Sequence, residues 1–190
     1  MDVAWHGQTF TLLAQRAAYW HEARALVVAD VHFGKAAAFR SLGVPVPETV
    51  TADLARLDAA LGATGAKRLV VLGDLLHAAC GRQARTMEAI GAWRKSRSSL
   101  EIVLVRGNHD RSAGDPPAAW DIHACSGPTE AGLGVSDLLL THEPVRVQDR
   151  GVLCGHIHPA VRLVDRDRGT KGAGAGSVRL ACFWFGKDVA

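Results

Sequence analysis

The four cysteines of this chain, Cys80, Cys125, Cys154 and Cys182, lie scattered, and none are paired at CxxC spacing. A thiolate zinc site has no support from that spacing, and a disulfide framework has little; free thiols in a reducing compartment are the expectation. Between Met1 and Trp20 no basic segment is followed by an apolar run, and no window approaches the length of a membrane span. A cytoplasmic location is therefore expected. Aromatic residues are only 6% and the net charge only +3. A pure nucleic-acid-binding module is disfavoured on both counts, although a mildly basic chain remains compatible with a phosphate-bearing partner. Internal repeats, linkers and low-complexity tracts are also missing, so residues 1–190 read as one domain.

Present instead are short apolar runs that end abruptly in polar residues able to bind metal. Leu26-Val27-Val28-Ala29 runs into Asp30-Val31-His32, and Leu69-Val70-Val71-Leu72 into Gly73-Asp74. Ile102 to Val105 leads through Arg106 and Gly107 to Asn108-His109-Asp110. Leu138-Leu139-Leu140 runs into Thr141-His142, and Val152-Leu153-Cys154 into Gly155-His156-Ile157-His158. Continuous runs of Val, Ile and Leu are the pattern of strands covered on both faces.

Two gaps carry helical periods. Val50, Leu54, Leu57 and Leu61 recur at spacings of four, three and four, with Pro47-Glu48 as a first turn and Gly62 to Gly65 as a stop. A second helix is predicted over Gln83 to Arg97, with Met87, Ile90 and Trp93 on one face. The first half thus reads as βαβ units with parallel pairing. Arg111 to Ala119 reads as a Pro/Gly loop. Strands are then predicted near 120–124, 135–141, 151–154, 160–165 and 178–185, and Arg166 to Gly176 as a flexible hairpin loop. Thr9–Ala14 and Ala18–His21 could form an opening hairpin. The fold class is α/β, with two mixed sheets and flanking helices.

In open α/β sheets, ligands bind beyond the carboxyl ends of the strands. Each cluster alone has an innocent reading: Asp-x-His arises by chance, Gly-Asp is commonly a turn, and Asn-His-Asp suits turn chemistry. Five of them in order, each after an apolar run, do not. Carboxylate, amide oxygen and imidazole together suit divalent manganese, iron or zinc. Seven ligands (Asp30, His32, Asp74, Asn108, His142, His156 and His158) are too many for one ion and divide between two that share a carboxylate.

The motif series Asp30-x-His32, Gly73-Asp74, Gly107-Asn108-His109-Asp110, His142 and Gly155-His156-x-His158 resembles that of the calcineurin-like metallophosphoesterases. The resemblance implies a four-layer α/β/β/α sandwich of two mixed β-sheets flanked by helices. It also implies that Asp30, His32 and His158 hold one ion, that Asn108, His142 and His156 hold the other, and that Asp74 bridges them. Asp30-Val-His-Phe-Gly-Lys35, Phe39-Arg40, Pro45-Val-Pro47, Leu72-Gly-Asp-Leu-Leu-His77 and His156-Ile-His-Pro159 further resemble the bacterial ligase-associated DNA-damage-response endonucleases. That similarity implies manganese, DNA as substrate, a repair role, and association with a DNA ligase and a helicase. Those relatives continue past the segment matching Phe183-Trp184-Phe185 into another apolar strand, whereas this chain stops at Ala190; edge packing and any dimer contact turn on that difference.

The expected chemistry is in-line attack on phosphorus by a water activated between the two ions. His109 follows a ligand without being needed as one, and is the candidate to stabilise or protonate the leaving group. Asp110 could orient its imidazole, with a surface or turn role as the alternative. His77, Lys35, Arg40, Arg106 and Arg111 lie near the motifs as candidate phosphate contacts; a loop histidine is the alternative for His77, and a solvated surface charge is the favoured reading for each of the four cations taken singly. His6, His21 and His123 lack clustered partners and read as structural. The alternatives are a phosphomonoesterase or small-substrate (cyclic nucleotide) phosphodiesterase with the same centre, and a non-catalytic protein-binding scaffold.

Overall fold

The computed structural model describes residues 1–134, 137–164 and 177–186. Strands β1 (Asp2–Trp5), β2 (Gln8–Leu13), β3 (Ala17–Trp20) and β4 (Ala25–Val28) form an antiparallel meander. From β4 the pairing becomes parallel, through β5 (Arg68–Leu72), β6 (Glu101–Val105) and β7 (Ile122–Cys125). The result is one seven-stranded mixed sheet in sequential order. Its parallel half is built from βα crossovers carrying α1 (Lys35–Ser41), α2 (Val50–Thr64), α3 (Ala84–Ser96) and α4 (Asn108–Ala113).

The apolar runs are continuous because both faces of the sheet are covered. Leu26, Val28, Leu69, Val71, Ile102 and Leu104 point to one side, into a core shared with Leu54, Leu57 and Leu61 of α2 and Ile90 of α3. Their alternates Ala25, Val27, Val70, Leu72 and Val105 point to the other, where they meet Leu138 and Leu140. Those two residues belong to β8 (Leu138–Leu140), which pairs in parallel with β9 (Gly151–Leu153). β10 (Ala160–Val164) and β11 (Ser177–Ala181) form a separate antiparallel hairpin with every residue exposed. Among the described residues, then, the second sheet is two separate two-stranded ladders, and no α-helix follows Ala113.

The two predicted helices are present, each trimmed by its cap. The Glu48 carboxylate accepts from the N–H groups of Thr49 (2.9 Å) and Val50 (3.1 Å), and Gly65 closes α2 in the left-handed region, φ 62°. The opening hairpin is found as β2 and β3, preceded by β1, which the sequence reading did not contain. Two short helices were also not anticipated. α1 buries only Ala36, Ala37 and Ala38, a run with no apolar period, and α4 occupies the first part of the expected Pro/Gly loop. The expected loop Arg166 to Gly176 lies outside the described residues, as do 135 and 136 of one predicted strand.

Leu104 is 0% exposed at the centre of the sheet, whereas Leu163 on the hairpin is 55% exposed. Leu104→Ala should lower unfolding free energy by about 2–5 kcal/mol, and Leu163→Ala should stay within about 0.5 kcal/mol of wild type. Urea denaturation of the two variants checks both.

Candidate metal centre

All seven expected ligands lie just beyond the carboxyl ends of β4, β5, β6, β8 and β9. The parallel register runs on past the strands: His32 N–H donates to Asp74 C=O at 2.7 Å and Phe33 N–H to Leu75 C=O at 2.9 Å. Gly155 N–H likewise donates to His142 C=O at 3.1 Å, extending the β8–β9 pair. Within these turns Asp30, His32, Asp74, His156 and His158 adopt positive φ, between 44° and 69°. L-residues rarely occupy that region, and such strain collects at functional sites. Two glycines make room. A Cβ on Gly73 (φ 77°) would meet the His142 ring at 2.1 Å, and one on Gly107 would meet Asp74 Oδ1 at 2.1 Å.

Asp74 is the hub. It is 2% exposed, and its Oδ2 lies 3.4 Å from His142 Nε2, 3.9 Å from His32 Nε2 and 4.0 Å from His109 Nε2. Its Oδ1 accepts the His109 N–H at 2.9 Å. On one side Asp30, His32 and His158 bring ligand atoms within 4.8 Å of one another. On the other, His142 Nε2 lies 3.0 Å from Asn108 Oδ1 and 3.1 Å from His156 Nδ1. The His156 N–H donates to Asp30 Oδ2 at 3.0 Å, joining the two sides.

The hydrogen bonding of His142 shows that a cation fits. Its Nδ1 faces the Leu72 carbonyl at 3.0 Å and must donate there, so in the neutral ring Nε2 carries a lone pair. That lone pair points at the Asn108 carbonyl oxygen and the Asp74 carboxylate. Acceptors facing one another repel unless a cation lies among them. The Leu72 carbonyl also fixes the tautomer, as outer partners of metal-bound histidines do. Burial pushes the His32 imidazole down to about 3, so the ring stays neutral and able to coordinate. Burial raises Asp30 from its ordinary value, with the nearby His158 opposing.

His109 lies half-buried beside this group. Its Nδ1 meets the His77 carbonyl at 2.6 Å, so it donates there and presents Nε2 to the centre. The ring orientation is therefore set by a backbone oxygen and not, as expected, by Asp110. The Asp110 carboxylate, buried at the base of α4, instead accepts the N–H groups of Asp74 (2.7 Å), Gly107 (2.9 Å) and Leu76 (3.1 Å). It ties the β5 and β6 turns together. Burial pushes its pKa up, against the pull of those three hydrogen bonds.

The His77 ring stacks on His109 (centroids 4.6 Å apart), and its Nδ1 is 3.4 Å from His32 Nδ1. The expected basic contacts divide. Arg40 is held by Glu48 (2.7 Å) and the Val46 carbonyl, Arg106 by both oxygens of Asp115 (2.7 and 2.9 Å), and Arg111 by Glu143 (3.0 Å). Lys35 is exposed, and its charge helps depress His32 and His77. The part played by the His77 carbonyl was missed by sequence reasoning, because a backbone acceptor leaves no trace in residue identity.

The strand-end position and the imidazole-rich donor set around a buried carboxylate are those of a metal-dependent phosphoesterase centre. The calcineurin-like phosphoesterase family profile matches residues 23–171, and the chain belongs to that family of metal-dependent hydrolases. Among solved structures it is similar to the Pseudomonas putida nuclease MPE: 42% identity, TM-score 0.73, covering 84% of this chain and 74% of that one. A comparison with curated proteins found no match.

Asp110→Ala leaves three buried N–H groups without an acceptor. It should cost about 3 kcal/mol or more, read by urea denaturation, and should weaken metal binding measured by calorimetry. The pH dependence of the metal-free protein follows from His32. Between its ordinary 6.5 and about 3, the unfolded chain binds a proton that the folded ring refuses. Stability in EDTA should fall as pH drops through that window, more steeply for wild type than for His32→Gln.

Proposed function

We propose that this protein is a manganese-dependent phosphodiesterase that cuts DNA internally and serves in DNA repair in the cytoplasm. The observation that carries the reading is the gathering of candidate ligands around buried Asp74, with His142 and His32 facing its Oδ2, Asp30 and His158 grouped with His32, and Asn108 and His156 against His142, over a buried floor and an open mouth. Asp74 and His142 are buried, while Asn108, His156 and His158 are exposed, His158 by 52%. A polymer backbone needs such an open site, whereas a monoester or cyclic nucleotide suits an enclosed cavity. The resemblance to the nuclease MPE supports DNA over a small substrate. Partnership with a ligase and a helicase rests on the sequence resemblance alone.

In this reading Asp30, His32 and His158 would hold one ion and Asn108, His142 and His156 the other, with Asp74 between them. The chemistry two such cations would supply is activation of a water as nucleophile and neutralisation of phosphate charge. The protein's own groups do the rest. His109, turned by the His77 carbonyl so that Nε2 faces the centre, would act in its imidazolium form, passing the Nε2 proton to the departing sugar oxygen and keeping the Nδ1 proton on the carbonyl. The His77 ring, stacked on His109, contacts the phosphate from the same side, with Lys35 beside it.

Circular single-stranded DNA, bis-p-nitrophenyl phosphate and p-nitrophenyl phosphate, each with metal-stripped protein plus or minus manganese, test the reading. Manganese should open the circle, and Asp74→Ala should abolish this. His109→Ala should slow DNA cleavage by roughly a hundredfold or more. The nitrophenyl diester should suffer less, because its leaving group departs without a proton. Turnover of the monoester alone would put the phosphatase alternative in its place.

A further inference from the structure

Helix α1 packs the wrong way round for a purely structural element. Its small residues Ala36, Ala37 and Ala38 are buried, while its largest apolar side chain, Phe39, is 40% exposed. The helix is wedged so closely on the 3₁₀ turn Ala79–Gly81 that a Cβ on Gly34 would lie 2.4 Å from the Gly81 carbonyl oxygen. That approach accepts only small groups and leaves the phenyl ring outside.

The ring is not placed at random. Its centroid is 6.3 Å from that of His77, with planes 32° apart, and His77 stacks on His109 at 4.6 Å and 22°. Three ring faces thus step from the rim down to the group beside the candidate metals. Lys35, one helical turn before Phe39, is on the same exposed face. Its own N–H donates to the His32 carbonyl at 3.0 Å, which anchors the start of the helix to the site. The ion pair of Arg40 with Glu48 pins the segment after α1, and the Val44 N–H donates to the Phe39 carbonyl at 3.0 Å. The platform is therefore built before any ligand arrives. An aromatic face beside a cation, leading to a phosphoester centre, matches the alternating bases and phosphates of an unpaired strand. A duplex keeps its base faces stacked inside and offers nothing to the ring.

We propose that Phe39 and Lys35 form a subsite for the nucleotide next to the scissile phosphate, Phe39 stacking its unpaired base and Lys35 meeting its backbone phosphate. This rests on the phosphodiesterase reading above, and it adds to that reading a pair of specificity-determining residues outside the metal centre.

The test compares kcat/KM on circular single-stranded DNA, on closed duplex circles and on bis-p-nitrophenyl phosphate, with manganese, for wild type, Phe39→Ala, Phe39→Leu, Phe39→Trp and Lys35→Gln. Phe39→Ala should lower the ratio of single-strand to small-diester activity by about tenfold to a hundredfold, mostly through KM. Phe39→Trp should restore it and Phe39→Leu should not, since leucine keeps apolar bulk without a π-face. Lys35→Gln should reduce the salt slope of single-strand KM by about one phosphate's share, roughly 0.7. An unchanged ratio in Phe39→Ala, equal rescue by leucine, or an equal loss on duplex circles would overturn the subsite while leaving the nuclease reading intact. If wild type hydrolyses the small diester but cuts no DNA, the nuclease reading fails and the subsite with it.

Discussion

One electrostatic demand organises the whole carboxyl edge of the sheet. The Asp74 carboxylate, the Asn108 amide oxygen and the imidazole lone pair of His142 face a common space beside the His32 ring, and acceptors at 3.0 to 3.4 Å have nothing to offer one another. Positive charge is what makes that arrangement favourable. Each surrounding device keeps these lone pairs turned inward. The Leu72 carbonyl fixes the tautomer of His142, the His77 carbonyl fixes that of His109, and burial keeps His32 neutral.

Holding such groups together requires a stiff support, and the core supplies it. Five of the candidate ligands sit in the left-handed region, a cost of roughly 1–3 kcal/mol apiece. Those conformations persist because the turns that carry them are sewn to one another by continued parallel hydrogen bonds. The Asp110 carboxylate, gathering three N–H groups from the β5 and β6 turns, is the tightest of these fastenings. Behind them, Val and Leu side chains interdigitate on both faces of the sheet. The gap between one strand's turn and the next is therefore set by the 4.7–4.9 Å strand spacing general to sheets, a suitable scale for two ions sharing one carboxylate.

The centre is asymmetric in burial, and that asymmetry has chemical meaning. Of the candidate ligands, His32, Asp74 and His142 form a buried floor, while Asn108 after β6 and His156 and His158 after β9 stand exposed at the rim. The residues of the rim are not uniformly basic. Three of the arginines flanking the motifs are tied up in ion pairs, which lock loops in place and leave Lys35 as the exposed cation whose charge is felt by His32 and His77.

Much of this was legible in the sequence by itself. Apolar runs ending in metal-competent residues specify strands covered on both faces, and parallel strands open their carboxyl ends to ligands, so the gathering of Asp30, His32, Asp74, Asn108, His142, His156 and His158 at one sheet edge could be anticipated from spacing. The periods of α2 and α3 were equally plain, because Leu54, Leu57 and Leu61 recur with the helical turn. Short elements were not: α1 and α4 are too brief to carry a period, and their existence depends on close contacts such as that of Gly34 with Gly81. Roles that pass through the backbone were hidden for the same reason. Residue types cannot reveal that the His77 carbonyl steers His109, or that Asp110 grips main-chain N–H groups instead of the imidazole beside it. Nor can they show that Phe39 of α1 lines up with the rings of His77 and His109. Composition and spacing determined which chemical groups the chain carries and which strand end bears each. Only the tertiary structure decided which way those groups point, because orientation comes from contacts between segments far apart in the chain.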